Sequence, residues 1–152
     1  MERQQLPEDF KEFIQCLNSN NVKYLLIGGW AVGLYGHPRA TKDIDFLVFK
    51  DDANLENLEK ALNSFTAPPV DIYYLREKGN VIRFGVSPLQ IDIINEADGI
   101  NIEDCYLRKE IIIVENIEIP LISKADLVKN KKSTGRKSDL ADVEKLEYDK
   151  IK

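Results

Sequence analysis

Two aspartates separated by one isoleucine, Asp43-Ile44-Asp45, stand at the head of an apolar run that continues Phe46-Leu47-Val48. In an extended strand alternate side chains share a face, so both carboxylates project to one side while Ile44 points to the other. Two carboxylates on one face suit a hard divalent cation. Mg²⁺ takes oxygen ligands, is usually held by one or two carboxylates, and leaves positions open for water or substrate phosphates; Mn²⁺ accepts the same donors. Without a cation the pair is frustrated, because neighbouring like charges in a partly buried place raise one another's pKa. The complementary half of such chemistry lies upstream. Gly28-Gly29 follows the apolar run Tyr24-Leu25-Leu26-Ile27 and precedes Trp30-Ala31-Val32-Gly33-Leu34-Tyr35, the order of a strand, a tight turn and a short helix. Glycine lets backbone N–H groups approach an anion closely, and the start of a helix adds a positive dipole end. A triphosphate fits there. Arg39, four residues before Asp43, can reach the same phosphates, whose oxygens a guanidinium matches bidentately. A glycine pair alone signals only a turn. The information is in the order: strand, Gly-Gly, helix, loop, paired acids, strand.

A third acid and a late basic run extend the pattern. Asp92 sits between Ile91 and Ile93 in LQIDIIN, and a lone carboxylate in an apolar strand is costly unless a cation or hydrogen-bond donors meet it. Either a nearby lysine or amide satisfies it, or this strand lies beside that of Asp43 and Asp45 and closes a cluster of three carboxylates; the second is the expectation adopted. Residues 124–137 hold Lys124, Lys129, Lys131, Lys132, Arg136 and Lys137 against Asp126 alone, within a chain of net charge −5. Some of these are ordinary solvated lysines.

Together these strings resemble a known family. GGWAVGLYGHPRATKDIDFLV is similar to the signature GG-x(n)-R-x-T-x-D-[ILV]-D of the nucleotidyltransferase superfamily with the DNA polymerase β-like catalytic fold. The likeness is greatest to a small bacterial branch that includes lincosamide-type antibiotic nucleotidyltransferases and the nucleotidyltransferase toxins of toxin–antitoxin systems. It covers most of residues 20–145. The resemblance implies an α+β fold, a mixed and mostly antiparallel sheet with helices packed on it. It implies that Asp43, Asp45 and Asp92 hold Mg²⁺ or Mn²⁺, with Asp92 binding a second ion or serving as base. It assigns Gly28, Gly29, Arg39 and Thr41 to the nucleotide. A late family motif is matched by Leu127, Val128, Lys131, Gly135, Arg136, Asp139 and Asp142, which implies that Lys131 contacts the triphosphate; Arg136 and Asp139 read as an ion pair locking the last two helices. The expected reaction moves an NMP group from an NTP, ATP among the candidates, to an acceptor hydroxyl on a small molecule, an RNA end or a protein. The toxin-like branch would bring an antitoxin or RNA partner. The competing reading is a catalytically silent module of the same fold that holds a nucleotide or a partner protein. General RNA binding by the basic run lacks the interleaved aromatics on which single strands stack.

Composition sets the frame for these residues. At 152 residues, 43% hydrophobic and 31% charged, the chain is expected to form one domain, residues 1–152, burying roughly two thirds of its unfolded surface. Cys16, Cys105 and the single His37 do not supply the four ligands of a structural zinc site, and His37 beside Pro38 is a poor candidate for a hydrolase base. MERQQLPEDF lacks the basic-then-apolar pattern of a secretory signal, and no apolar run approaches the ~18 residues of a membrane span, so a cytoplasmic protein is expected.

The elements that must position the site follow from periodicity. Phe10, Phe13, Ile14 and Leu17 fall at i, i+3, i+4 and i+7 and predict a packing helix from Pro7 to Asn20. Val22 to Ile27 reads as a strand buried on both faces, and Trp30 and Tyr35 as core and rim residues. Asp51-Asp52 opens a helix that reaches about Phe65 and is stopped by Ala67-Pro68-Pro69. Val70–Leu75, Val81–Val86 and Leu89–Ile94 read as strands, and residues 95–110 as irregular. Ile111–Val114 and Ile117–Ile119 flank Glu115-Asn116 as a hairpin that Pro120 ends, and Ser123-Lys124-Ala125-Asp126 opens the next helix.

Overall fold

A computed structural model of the chain describes residues 5–151. Its frame is one six-stranded sheet. In chain order the strands are β1 (Tyr24–Ile27), β2 (Asp43–Val48), β3 (Val81–Phe84), β4 (Gln90–Ile94), β5 (Glu110–Val114) and β6 (Ile117–Leu121). In space they lie β3-β4-β2-β1-β6-β5. The pairs β1·β2, β3·β4 and β5·β6 are antiparallel, whereas β2·β4 and β1·β6 are parallel. The sheet is therefore mixed and mostly antiparallel, as expected. Among the described residues six α-helices accompany it: α1 (Glu8–Ser19), α2 (Gly28–Leu34), α3 (Asp52–Phe65), α4 (Ile102–Leu107), α5 (Lys124–Thr134) and α6 (Lys137–Ile151).

The central strand β1 is buried at every position, in keeping with its unbroken apolar sequence. The stripe of α1 drives Phe13 into a cluster of rings, with centroids 5.3 Å from Phe46, 5.1 Å from Phe65 and 5.7 Å from Phe84. Each such fully buried side chain contributes about 1.5–3 kcal/mol of transfer free energy. One ring thus joins α1, α3 and strands β2 and β3. Trp30 is buried edge-on to Phe10, and the Tyr35 hydroxyl donates to the Ile122 carbonyl at 2.6 Å, so both take the packing roles expected of them.

Caps fix where α3 and α5 begin. The Asp51 carboxylate accepts from the Asn54 N–H at 3.1 Å, and the Ser123 hydroxyl from the Asp126 N–H at 3.1 Å. Asn54, in the first turn of α3, is buried and saturated. Its amide donates to the carbonyls of Phe49 at 2.7 Å and Lys23 at 3.0 Å, and accepts from the Lys23 N–H at 2.7 Å. That clamp joins the start of β1 to the end of β2 and so fixes the strand that carries the paired aspartates.

Three local expectations are corrected. The stretch read as a strand over Val70–Leu75 is a 3₁₀ helix, Ile72–Arg76, because Asp71 accepts from the Tyr73 N–H at 3.1 Å and turns the chain locally. Residues 95–110 are not wholly irregular: Asn101 caps α4 by accepting from the Asp104 N–H at 3.1 Å. Pro120 does not end its hairpin but lies within β6 opposite Ile111. The hairpin turn itself is as read, with Glu115 and Asn116 both at positive φ, the two-residue geometry that matches strand twist. No helix among the described residues is long and apolar enough to cross a membrane.

Candidate active site

Register creates the site. Parallel pairing of β2 with β4 sets Asp45 opposite Asp92, and antiparallel pairing of β3 with β4 sets Arg83 opposite the same Asp92. Asp43 follows two residues before Asp45 on the same face. One oxygen from each of Asp43, Asp45 and Asp92 lies within 4.8 Å of the others. Three acids separated by 49 residues of sequence thus converge because two strands are neighbours.

The electrostatics are those of a cluster short of positive charge. Burial, then the charges of Asp43 and Asp92, push the Asp45 carboxyl from its ordinary 3.8 up to about 7, against the pull of Lys131 and Arg83. Burial and the charge of Asp92 likewise raise Asp43. An all-oxygen donor set of this kind suits Mg²⁺ or Mn²⁺ and not a thiophilic metal. The residues present therefore fit the cation that the sequence implied.

The two glycines are explained by close approach to strand β2. Gly28 has φ +76°, and a Cβ there would run into the Asp45 carboxylate. A Cβ on Gly29 would come within 2.6 Å of the Thr41 methyl and 3.1 Å of the Arg39 guanidinium. Sequence reasoning gave these glycines to an anion; the fold adds that any side chain would displace Asp45, Thr41 or Arg39. The residue preceding α2 is Ile27, which offers no side-chain cap to the first-turn N–H groups.

Arg39 and Lys131 are held by α6. Asp139 and Asp142, one turn apart, are each 1% exposed. Asp142 accepts from Arg39 Nη2 at 2.9 Å and pairs with Lys131 Nζ at 3.1 Å. Asp139 accepts from Lys131 Nζ at 3.0 Å, Thr134 Oγ1 at 2.6 Å and Arg136 Nε at 2.7 Å. Burial alone would raise the Asp139 pKa, but hydrogen bonds from Arg136, Thr134 and Lys131 hold it at about 2. The Arg136–Asp139 pair read from the sequence is present, yet it is local, three residues apart; the tie between α5 and α6 runs through Lys131 and Thr134. In this structure the Lys131 ammonium is buried between two carboxylates in the wall of the site.

These groups, Asp142 excepted, line one cleft of about 670 Å³. Its lining includes Gly28, Gly29, Arg39 and Thr41 as well as the three acids and Lys131, so every residue assigned from the sequence to the metal or the nucleotide borders the same space. Sequence reasoning missed Arg83, whose Nε and Nη2 donate to Asp92 Oδ1 and Oδ2 at 2.8 and 3.1 Å, and Gln90, whose amide donates to Asp92 Oδ1 at 3.1 Å. No local signal marks Arg83; it is an exposed residue on a short edge strand until β3 pairs with β4.

A mixed sheet carrying this acidic cluster against a Gly-Gly turn has the nucleotidyltransferase arrangement. The chain belongs to the family described as nucleotidyltransferase of unknown function (DUF6036), whose model matches residues 4–148. Among solved structures it resembles an antigenic nucleotidyltransferase-like protein from Paracoccidioides brasiliensis, with 16% identity and a TM-score of 0.57 over 93% of this chain and 77% of that one. At that identity the likeness speaks for the fold. No curated protein matches the sequence.

Proposed function

We propose that this protein transfers a nucleoside monophosphate from an NTP to an acceptor hydroxyl and releases pyrophosphate. The observation that carries the proposal is the convergence of Asp43, Asp45 and Asp92 within 4.8 Å, in a cleft also lined by Gly28, Gly29 and Arg39. A divalent cation bound by these carboxylates would draw charge from the triphosphate oxygens and align the α-phosphorus with the attacking hydroxyl. The chain's own residues do the rest. Asp43 and Asp45 fix the ligand geometry from one rigid strand. Gly28 and Gly29 let the backbone come close to the phosphates, with Thr41 packed beside them. Arg39, oriented by Asp142, and Lys131, set between Asp139 and Asp142, border the cleft as the cations assigned to the phosphates. Neutralising and aligning phosphates is most of what such a transfer asks of a protein. The acceptor oxygen bonds to the α-phosphorus, the bond to pyrophosphate breaks, and the hydroxyl proton passes to Asp92 or, where Asp92 serves as a further ligand, to solvent water.

The acceptor classes carried over from the resemblance are a small-molecule hydroxyl, as in the lincosamide-type enzymes, and an RNA end or protein side chain, as in the toxins. Labelled ATP, CTP, GTP and UTP, each with Mg²⁺ or with EDTA, against lincosamide, tRNA and protein acceptors, test the proposal. Mg²⁺-dependent pyrophosphate release with a matching mass increase on one acceptor is expected. Nucleotide binding without turnover on any acceptor would make the protein a silent binding module instead.

A further inference from the structure

Arg83 belongs to none of the motifs and takes no part in the transfer just described, yet it occupies the site. Its guanidinium grips both oxygens of Asp92, at 2.8 and 3.1 Å, from directly across the strand pair. The carboxylate is 6% exposed and its arginine 60% exposed. Two donors, Arg83 Nε and the Gln90 amide, occupy Asp92 Oδ1, and Arg83 Nη2 occupies one of the two lone pairs of Oδ2. A cation shared with Asp43 and Asp45 must therefore take the one remaining site on Oδ2, beside a guanidinium of like charge, or displace Arg83. The arginine's exposure, with its head group on the rim of the cleft, means that little packing is lost if it withdraws.

We propose that Arg83 is a displaceable counter-ion: it neutralises Asp92 in the metal-free protein, and releases it when a cation and nucleotide arrive. This rests on the metal–nucleotide reading of the cleft. The competition is between two positive charges for one carboxylate, so removing Arg83 frees a ligand and lifts a repulsion at once. The released guanidinium then stands beside the entering polyphosphate, which compensates it for the lost partner. Arg83 is thus a positioning residue that couples occupation of Asp92 to the presence of nucleotide.

Mn²⁺ binding, followed by the loss of the free-ion electron paramagnetic resonance signal, tests this on the full chain with and without a non-hydrolysable NTP analogue. Arg83→Gln should bind Mn²⁺ about tenfold more tightly than wild type without nucleotide, the scale of removing one nearby like charge. Arg83→Lys, which keeps the charge but loses the fork, should fall between them. The advantage of Arg83→Gln should shrink or reverse when the analogue is present. In EDTA, Arg83→Gln should melt below wild type, and Mn²⁺ should raise its melting temperature by more. Mn²⁺ binding that Asp45→Asn abolishes but Arg83→Gln leaves unchanged or weakens would overturn this inference alone. No Mn²⁺ binding by wild type or Arg83→Gln, with or without nucleotide, would overturn the proposed function and this inference with it.

Discussion

Replacing Asp45 by asparagine keeps the shape of the side chain and deletes one negative charge from the crowded face of β2. Burial and two carboxylate neighbours hold this group at about 7 instead of 3.8. About three pKa units at 1.36 kcal/mol each set a ceiling of about 4 kcal/mol on the cost of keeping it ionised in the metal-free fold. Relaxation of Asp43 and screening at the mouth of the cleft reduce that to about 1–2 kcal/mol, or roughly 3–6 °C in Tm for a domain of this size. The folded-state value lies above the unfolded one. The stabilisation from a protonated Asp45 is therefore complete below about pH 4 and lost as pH rises through about 7. Asp45→Asn should accordingly melt higher than wild type in EDTA at about pH 8, with the gap closing toward about pH 5. Adding Mg²⁺ should reverse the order, since only wild type retains the ligand. Transfer activity should fall at least ~10²-fold, the floor for losing one group of a charge-stabilising site. Melts followed by circular dichroism and a pyrophosphate-release assay on the same preparations provide the measurement. A lower Tm than wild type in EDTA at about pH 8, or parallel loss of fold and activity, would make Asp45 a structural acid and refute the reasoning.

The remaining expectations concern the supports of the site. Asp142→Asn removes a buried partner from both Arg39 and Lys131 and should cost about 3–5 kcal/mol in urea unfolding, with weaker NTP binding measured alongside by calorimetry. Gly28→Ala forces a methyl group against the Asp45 carboxylate at φ +76°; about 1–2 kcal/mol of backbone strain and a loss of Mn²⁺ affinity should follow, the latter read by electron paramagnetic resonance. Asn54→Ala, remote from the cleft, removes three hydrogen bonds at the ends of β1 and β2 and should cost about 2–4 kcal/mol in urea unfolding.

Much of this molecule is local and therefore legible in the chain. The i, i+2 spacing of Asp43 and Asp45 places them on one face whatever the partner strand is. The α1 stripe, the Asp51 and Ser123 caps and the Glu115-Asn116 turn each depend on residues within a few positions of one another. Short-range side-chain hydrogen bonds defeated the strand read at Val70–Leu75, where Asp71 captures the Tyr73 N–H, and hid α4 behind its Asn101 cap. Those are also local effects, but a polar residue competing with a weak apolar pattern leaves both outcomes open until packing selects one.

By itself, then, the sequence determined the kinds of chemistry available: paired acids on a strand, a glycine turn, a basic run, and an isolated Asp92 in need of a partner. The tertiary structure alone decided who meets whom. Pairing of β4 with both β2 and β3 brought Asp92 to Asp45 and delivered Arg83 to the same carboxylate. Packing of α6 turned Asp139 and Asp142 inward onto Lys131 and Arg39. The physical reason is that strand neighbours and helix faces are fixed by burial of the whole apolar surface, a property of the assembled core, whereas a residue's own spacing governs only the side to which it points.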